Sequence, residues 1–266
     1  MYIFLKWENM AELHEICMQD HADLAEWWGD LIDWPNRLRK EGPFLLEQLN
    51  QHQCHRVFDS SLGDGGDSIY LLQHGFSVTS NESDPAFLKK ALKNAADVGV
   101  QLDTTQYDWR NLDQYVPEHL FDAIICLGNS FTYLFEAQER EQVLRNFRAL
   151  LKPGGILIID ERNYPYMLAN REKILYEGAP TSPRQVIFCG KKVEVKPIVI
   201  EDSLVVMHYR HKELQLEGKL SVYPFKKEEL RTSLEDHFEH LELFSDFDKG
   251  CDAEAGFYQH ICLNRN

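Results

Sequence analysis

Two continuous apolar runs constrain the fold of this chain more than any other feature. Phe121–Leu127 (FDAIICL) and Ile156–Asp160 (ILIID) each read as a strand buried on both faces. Between them, Glu139–Leu151 carries apolar residues at helical spacing and stops at Lys152–Pro153–Gly154–Gly155. Strand, helix and strand at this spacing predict a parallel pair joined by a crossover helix. The same alternation runs upstream: a strand over Arg56–Asp59, a helix over Asp67–His74, a strand over Phe76–Ser80, a helix over Pro85–Ala96 and a strand over Leu102–Tyr107. The expected class is α/β with a parallel sheet.

The pattern changes after Tyr164. Gln185–Phe188, Lys192–Lys196, Ser203–Tyr209 and Leu214–Ser221 read as short antiparallel strands, a lid-like insertion over 165–222. Helix returns at Lys226–His237, and Leu241–Phe247 with Phe257–Leu263 form a closing hairpin. Apolar positions at helical spacing over 8–32 and again at Leu38 and Phe44–Leu49 place N-terminal helices before Cys54. The expected organisation is therefore 1–50 as N-terminal helices covering the site, 51–164 with 223–266 as the ligand-binding α/β domain, and 165–222 as the lid.

A net charge of −15 repels the phosphate backbone of nucleic acid and anionic membranes. No run approaches the ~18–20 apolar residues of a membrane span, and Met1–Trp7 is too short for a signal peptide, so a soluble, cytoplasmic protein is expected. The six cysteines lie far apart with no CxxC pair, and the histidines form no HExxH, so neither a disulfide framework nor a metal site is expected. Residues 151–200 alone carry a positive balance, +3.

The loop Asp59-x-x-x-Gly63-Asp64-Gly65-Gly66 joins the first strand to its helix, where glycines let a ligand approach the backbone. A plain strand–helix turn is the alternative. Ser68 stands where a dinucleotide fingerprint has its third glycine, and Asp64 would repel a pyrophosphate but not a ligand carrying positive charge. Glu82 follows Gly63 by 19 residues, at the end of the second strand, where a carboxylate accepts ribose hydroxyls. Its alternative is a solvated loop carboxylate. Asp108 and Trp109 follow the third strand, placed either to meet an adenine or to serve as a capping Asp and a core Trp.

At Cys126–Phe131 (CLGNSF) and Asp160–Tyr164 (DERNY) the chain resembles the glycine N-methyltransferases, and more closely the microbial glycine/sarcosine N-methyltransferases that begin betaine synthesis. Further matching segments are LIDWPNR (31–37), HRVFDSSLGDGGDSIYLL (55–72), GFSVTS (75–80), DWR (108–110), LKPGGILIIDERNY (151–164), LSVYPF (220–225) and SDF (245–247). The resemblance implies a Rossmann-like methyltransferase fold with a seven-stranded, mainly parallel sheet and an antiparallel β lid inserted after the fifth strand. It implies S-adenosylmethionine as cofactor, held by Arg37, Asp59, Gly63, Asp64, Gly65, Glu82, Asp108, Trp109 and Leu127. Asn129 and Arg162 look like the substrate clamp, Arg162 pairing with an amino-acid carboxylate. Tyr209 and Tyr223 fall where the family places substrate-site tyrosines; for each, a core aromatic is the alternative. For Arg162 the alternative is an ion pair with Glu161 or Glu177.

The chain departs from the family pattern at Asp64, where Thr is usual, and at His21 and Phe188, which replace tyrosines. The implied reaction is in-line transfer of a methyl group to the neutral amine of glycine and/or sarcosine, with His21 assisting deprotonation. The rival readings are an enzyme for sarcosine and dimethylglycine only or for another small amine, and a cofactor-binding regulator without turnover.

Overall fold

The computed structural model describes residues 24–184 and 190–265. It opens with a helix over 24–31 (α1) and α2 (Trp34–Gln51), which Asp33 caps by accepting from the Asn36 N–H. Then follow β1 (Arg56–Asp59), α3 (Gly66–Gln73), β2 (Ser77–Asn81), α4 (Pro85–Asp97), β3 (Asp103–Thr105), a 3₁₀ turn over Trp109–Gln114 and β4 (Phe121–Cys126). A second 3₁₀ turn over Ser130–Tyr133 leads to α5 (Ala137–Leu150) and β5 (Leu151–Arg162). These five strands lie in the order β3-β2-β1-β4-β5, every neighbouring pair parallel.

Alternation along the central strands divides the core in two. Phe58, Ile124, Cys126, Leu157 and Ile159 point to one face, where Val143, Leu144 and Phe147 of α5 cover them. Val57, Ala123, Ile125, Ile156 and Ile158 point to the other, under Leu45 and Leu49 of α2 and Leu71 of α3. Both faces are apolar, so the polar groups of the middle strands concentrate at their ends.

Beyond β5 come α6 (Tyr164–Ala169) and α7 (Arg171–Glu177), then β6 (Val193–Glu201), β7 (Leu204–His211) and β8 (Leu216–Val222), which form a separate antiparallel sheet. Over 165–222, where the sequence marks only strands, two helices of six and seven residues precede the sheet. They are too short for a 3.6-residue period to show. The strand expected at Gln185–Phe188 lies outside the described residues. Tyr164, Met167 and Ile174 pack α6 and α7 on the lid sheet, while Leu24, Trp27 and Leu31 of α1 pack against Val193 and Leu220.

The chain returns through α8 (Glu229–Glu235), β9 (Glu239–Ser245), β10 (Asp248–Lys249) and β11 (Phe257–Leu263). β11 runs antiparallel between β5 and β9, as the closing hairpin required. The main sheet has eight strands rather than seven, since β10 turns back on β9. Its sharp turn uses Asp246 and Phe247 with positive φ, at 53° and 69°, a place the sequence does not mark with glycine.

α2 lies over the start of α3, and a Cβ on Gly66 would sit 2.3–2.4 Å from the Trp34 indole. We expect Gly66→Ala to lower the stability measured by urea titration by ~1–3 kcal/mol, the cost of overpacking. An unchanged midpoint would mean that α2 is free to shift at this contact.

Candidate active site

Strand order reverses between β1 and β4, and in open parallel sheets the crevice outside the carboxyl ends at such a point is where ligands bind. The chain leaves β1 at Asp59 and enters the glycine loop. Gly63 and Gly65 have φ of +56° and +97°, which demand glycine, and a Cβ on Gly65 would press on Ala91 at 3.2 Å. Ser68 Oγ donates to Asp59 Oδ2 at 2.6 Å and shares a hydrogen bond with Ser80 Oγ at 2.8 Å. The residue that breaks the dinucleotide fingerprint is thus the one that fixes Asp59.

Glu82 is tied to the same loop. Its Oε2 accepts from the Gly63 N–H and its Oε1 from the Asp84 N–H, both at 2.9 Å. Burial pushes its carboxyl up to about 7, against those two hydrogen bonds. It is therefore a sequestered carboxylate, not a solvated one. Trp109 also reaches the loop, donating from Nε1 to the Ser60 carbonyl at 2.7 Å while its ring packs edge-on against Phe147. Asp108 caps the 3₁₀ turn at Trp109–Gln114 and pairs with Arg110 at 2.5 Å, the structural arrangement weighed beside the adenine role.

The N-terminus of α2 closes over this loop. Trp34 Nε1 donates to both oxygens of Asp64, at 3.1 and 3.0 Å. Asp64 is buried and ties the loop to the helix. Arg37 stacks on Trp34 at 5.0 Å, pairs with Glu41 one turn on, and lies 3.7 Å from Asp67. Burial opposes its charge, but Glu41 and Asp67 outweigh burial and push its pKa up.

This one guanidinium faces an excess of carboxylates. Burial pushes Asp59 and Asp160 each up to about 6. Burial first and Glu41 second raise Asp67 well above the carboxylate range. Asp67 Oδ1 is a buried oxygen with no hydrogen-bond partner among the described residues. Asp59, Asp67 and Asp160 therefore stand near Arg37 in addition to Asp64, the loop carboxylate expected to attract a cationic ligand. Of the first three, only Asp59 was named from the sequence.

Across the crevice, the segment after β4 meets the end of β5. Leu127 places its carbonyl at the crevice, accepting from Ser61 Oγ at 3.2 Å and Ser130 Oγ at 2.8 Å. Asn129 Oδ1 accepts from the Arg162 backbone N–H at 3.0 Å, so the two proposed clamp residues are joined. The Arg162 guanidinium is half-buried, lies 4.8 Å from the Phe257 ring centre, and makes no ion pair among the described residues. Glu161, one of the two carboxylates weighed as its partner, pairs instead with buried His260 at 3.1 Å.

The remaining candidates are more dispersed. Tyr223 donates to Glu229 at 2.7 Å and lies under the Arg140 guanidinium at 4.2 Å. Tyr209 stands on β7 with its ring 6.2 Å from Trp28 of α1. His21 and Phe188 lie outside the described residues. Neither motif nor spacing marks Trp34, Asp67 or Asp160 as a site residue. For Asp160 the signal was present: a carboxylate closing a strand as apolar as ILIID is costly unless it is bonded.

Comparison with known proteins now identifies the class. The methyltransferase domain matches residues 57–155. A solved S-adenosylmethionine-dependent methyltransferase from Clostridium acetobutylicum superposes over 91% of this chain and 98% of its own, with a TM-score of 0.70 at 17% identity. The fold and the matched domain define a methyltransferase. The glycine/sarcosine N-methyltransferase of Aphanothece halophytica is 35% identical over 89% of this chain and 86% of its own length. A glycine/sarcosine/dimethylglycine N-methyltransferase of Actinopolyspora halophila is 36% identical over 88% of this chain and 40% of its own length. The chain belongs to the glycine/sarcosine N-methyltransferase family.

The buried carboxyls give the protein a pH signature. A carboxyl whose pKa rises on folding holds more protons folded than unfolded, so its contribution to stability is present at low pH and is lost as pH rises through the folded pKa. For Glu82 that window runs from 4.5 to about 7, and Asp59 and Asp160 act in the same direction up to about 6. We expect the melting temperature of the ligand-free protein to fall across this window, and Glu82→Gln to flatten the fall. A Glu82→Gln slope equal to that of the wild type would show that Glu82 is not the sequestered group.

Proposed function

We propose that this chain transfers a methyl group from S-adenosylmethionine to the amine of a small amino acid, glycine and/or sarcosine. The observation that carries the reading is the Asn129–Arg162 unit: a half-buried guanidinium with no ion pair among the described residues, bound through its backbone to an amide at the mouth of the crevice. A guanidinium fork matches a carboxylate in shape and charge. The names of the relatives support the same substrate class.

The residues present fit the cofactor. Glu82 is a half-buried acceptor just after β2, suited to a pair of ribose hydroxyls. Gly63 and Gly65 leave the loop open to close approach, and Leu127 offers backbone on the opposite side. The carboxylates Asp59, Asp67 and Asp160 exceed the one guanidinium of Arg37, and Asp67 Oδ1 lacks a hydrogen-bond partner among the described residues. Such a wall favours a ligand that carries sulfonium and ammonium charge. Arg37 is the counter-charge for that ligand's carboxylate. When bound, S-adenosylmethionine supplies a methyl group on a sulfonium, activated towards displacement by an amine lone pair.

The protein contributes position. Arg162 fixes the carboxylate end of the amino acid, and Asn129 Oδ1 accepts an N–H of the amine. With the amine neutral and so oriented, effective molarity offsets on the order of 7–11 kcal/mol of barrier. No helix among the described residues is long and apolar enough to cross a membrane.

We expect Arg162→Ala to raise KM for glycine and sarcosine sharply while leaving cofactor affinity nearly intact. Unchanged KM would sink the clamp assignment. Glu82→Ala should weaken cofactor binding measured by calorimetry; unaltered affinity would remove it from the ribose role. Mass analysis of products from glycine, sarcosine and dimethylglycine would settle the acceptor, and no product from any of them would overturn the reading.

A further inference from the structure

We infer that Asp160 is a positioning residue for methyl transfer: it holds the Gly128–Asn129 turn in its left-handed form and thereby places Asn129 and Arg162 as one unit. The inference rests on the proposed reading of Asn129 and Arg162 as the acceptor clamp.

Asp160 lies near the carboxyl end of β5, and its side chain is 3% exposed. Its two oxygens accept from two successive backbone N–H groups of the segment after β4, Gly128 at 3.1 Å and Asn129 at 2.6 Å. Both residues have positive φ, 73° and 64°. Glycine adopts the left-handed form freely and Asn more readily than most residues with a side chain, and in this turn the two successive N–H groups face the same carboxylate. That carboxylate satisfies both donors and selects this backbone form over others.

The turn so held fixes the Asn129 side chain. Its Nδ2 donates to Tyr164 Oη at 2.6 Å and to Thr132 Oγ1 at 3.1 Å. Tyr164 is 1% and Thr132 0% exposed. With both amide hydrogens engaged, the Arg162 N–H meets Oδ1 at 3.0 Å, and one lone pair of Oδ1 is left over. Asn129 can therefore only accept from an acceptor molecule, as an amine N–H requires. The bonds from Asp160, Arg162 and Tyr164 all converge on Gly128–Asn129, so a shift of the turn moves amide and guanidinium together.

The test is a double-mutant cycle in the full-length enzyme with Asp160→Asn and Asn129→Gly. Glycine takes the left-handed backbone without help and carries no amide to place. We expect Asp160→Asn alone to raise KM for glycine or sarcosine about tenfold or more, the scale of a lost buried hydrogen bond to a charged group. In the Asn129→Gly background it should add less than about threefold, a residual within ordinary non-additivity. Full additivity of the two changes overturns the inference, as does an effect confined to cofactor affinity. Should Asp160→Asn fail to fold, Asp160→Glu keeps the charge but displaces both oxygens, and gives the same readout. A wild-type protein that methylates no amino acid would remove the proposed function instead. Amide exchange would then decide the hold: faster exchange at Gly128 and Asn129 in Asp160→Asn supports it, and unchanged exchange overturns it.

Discussion

The pairing of β1, β4 and β5, apolar on both faces, is the constraint from which the site follows. Ile124, Ile125, Leu157 and Ile158 are fully buried, so these strands leave no room for polar groups along their length. Function is displaced to the carboxyl ends, where Asp59, Leu127 and Asp160 emerge side by side because β4 lies between β1 and β5. The register that stacks the core also brings Asp160 to the turn after β4.

At that edge the protein tolerates an unusual charge balance. Several buried carboxylates share one guanidinium, and burial raises their pKa values rather than forcing them out to solvent. Native structures bury charge when it is bonded or when a ligand completes it. Here Ser68, the loop amides and the Gly128–Asn129 turn bond most of the oxygens. What is left over has the sign that a cationic cofactor completes.

Much of this was legible in the residues. β1 and β4 begin at Arg56 and Phe121 as the residue pattern requires, β5 begins five residues ahead of its apolar run, and the glycine loop and Glu82 sit at the ends of β1 and β2. The short helices α6 and α7 were not legible, because one or two turns carry no period, and β10 was hidden by a turn built on Asp246 and Phe247 instead of glycine. The site divides along the same line. Residues proposed from type and spacing, such as Gly63 and Gly65, or from the family resemblance, such as Arg162, can be named from sequence. Residues that act through a contact cannot: the Trp34–Asp64 bond spans 30 positions, and the Asp160–Asn129 bond 31. The charge reversal over 151–200 contains Arg162, but Lys192 there binds Asp30 of α1, so the local excess also serves to dock the lid.

The contact of Trp34 with the glycine loop makes that loop optically observable. Its indole N–H rests on a buried carboxylate and its ring lies on Gly66. Indole emission depends on the polarity and field at the ring. A ligand entering beside Gly63 and Gly65 would change both, so Trp34 is placed to report on the glycine loop through its emission.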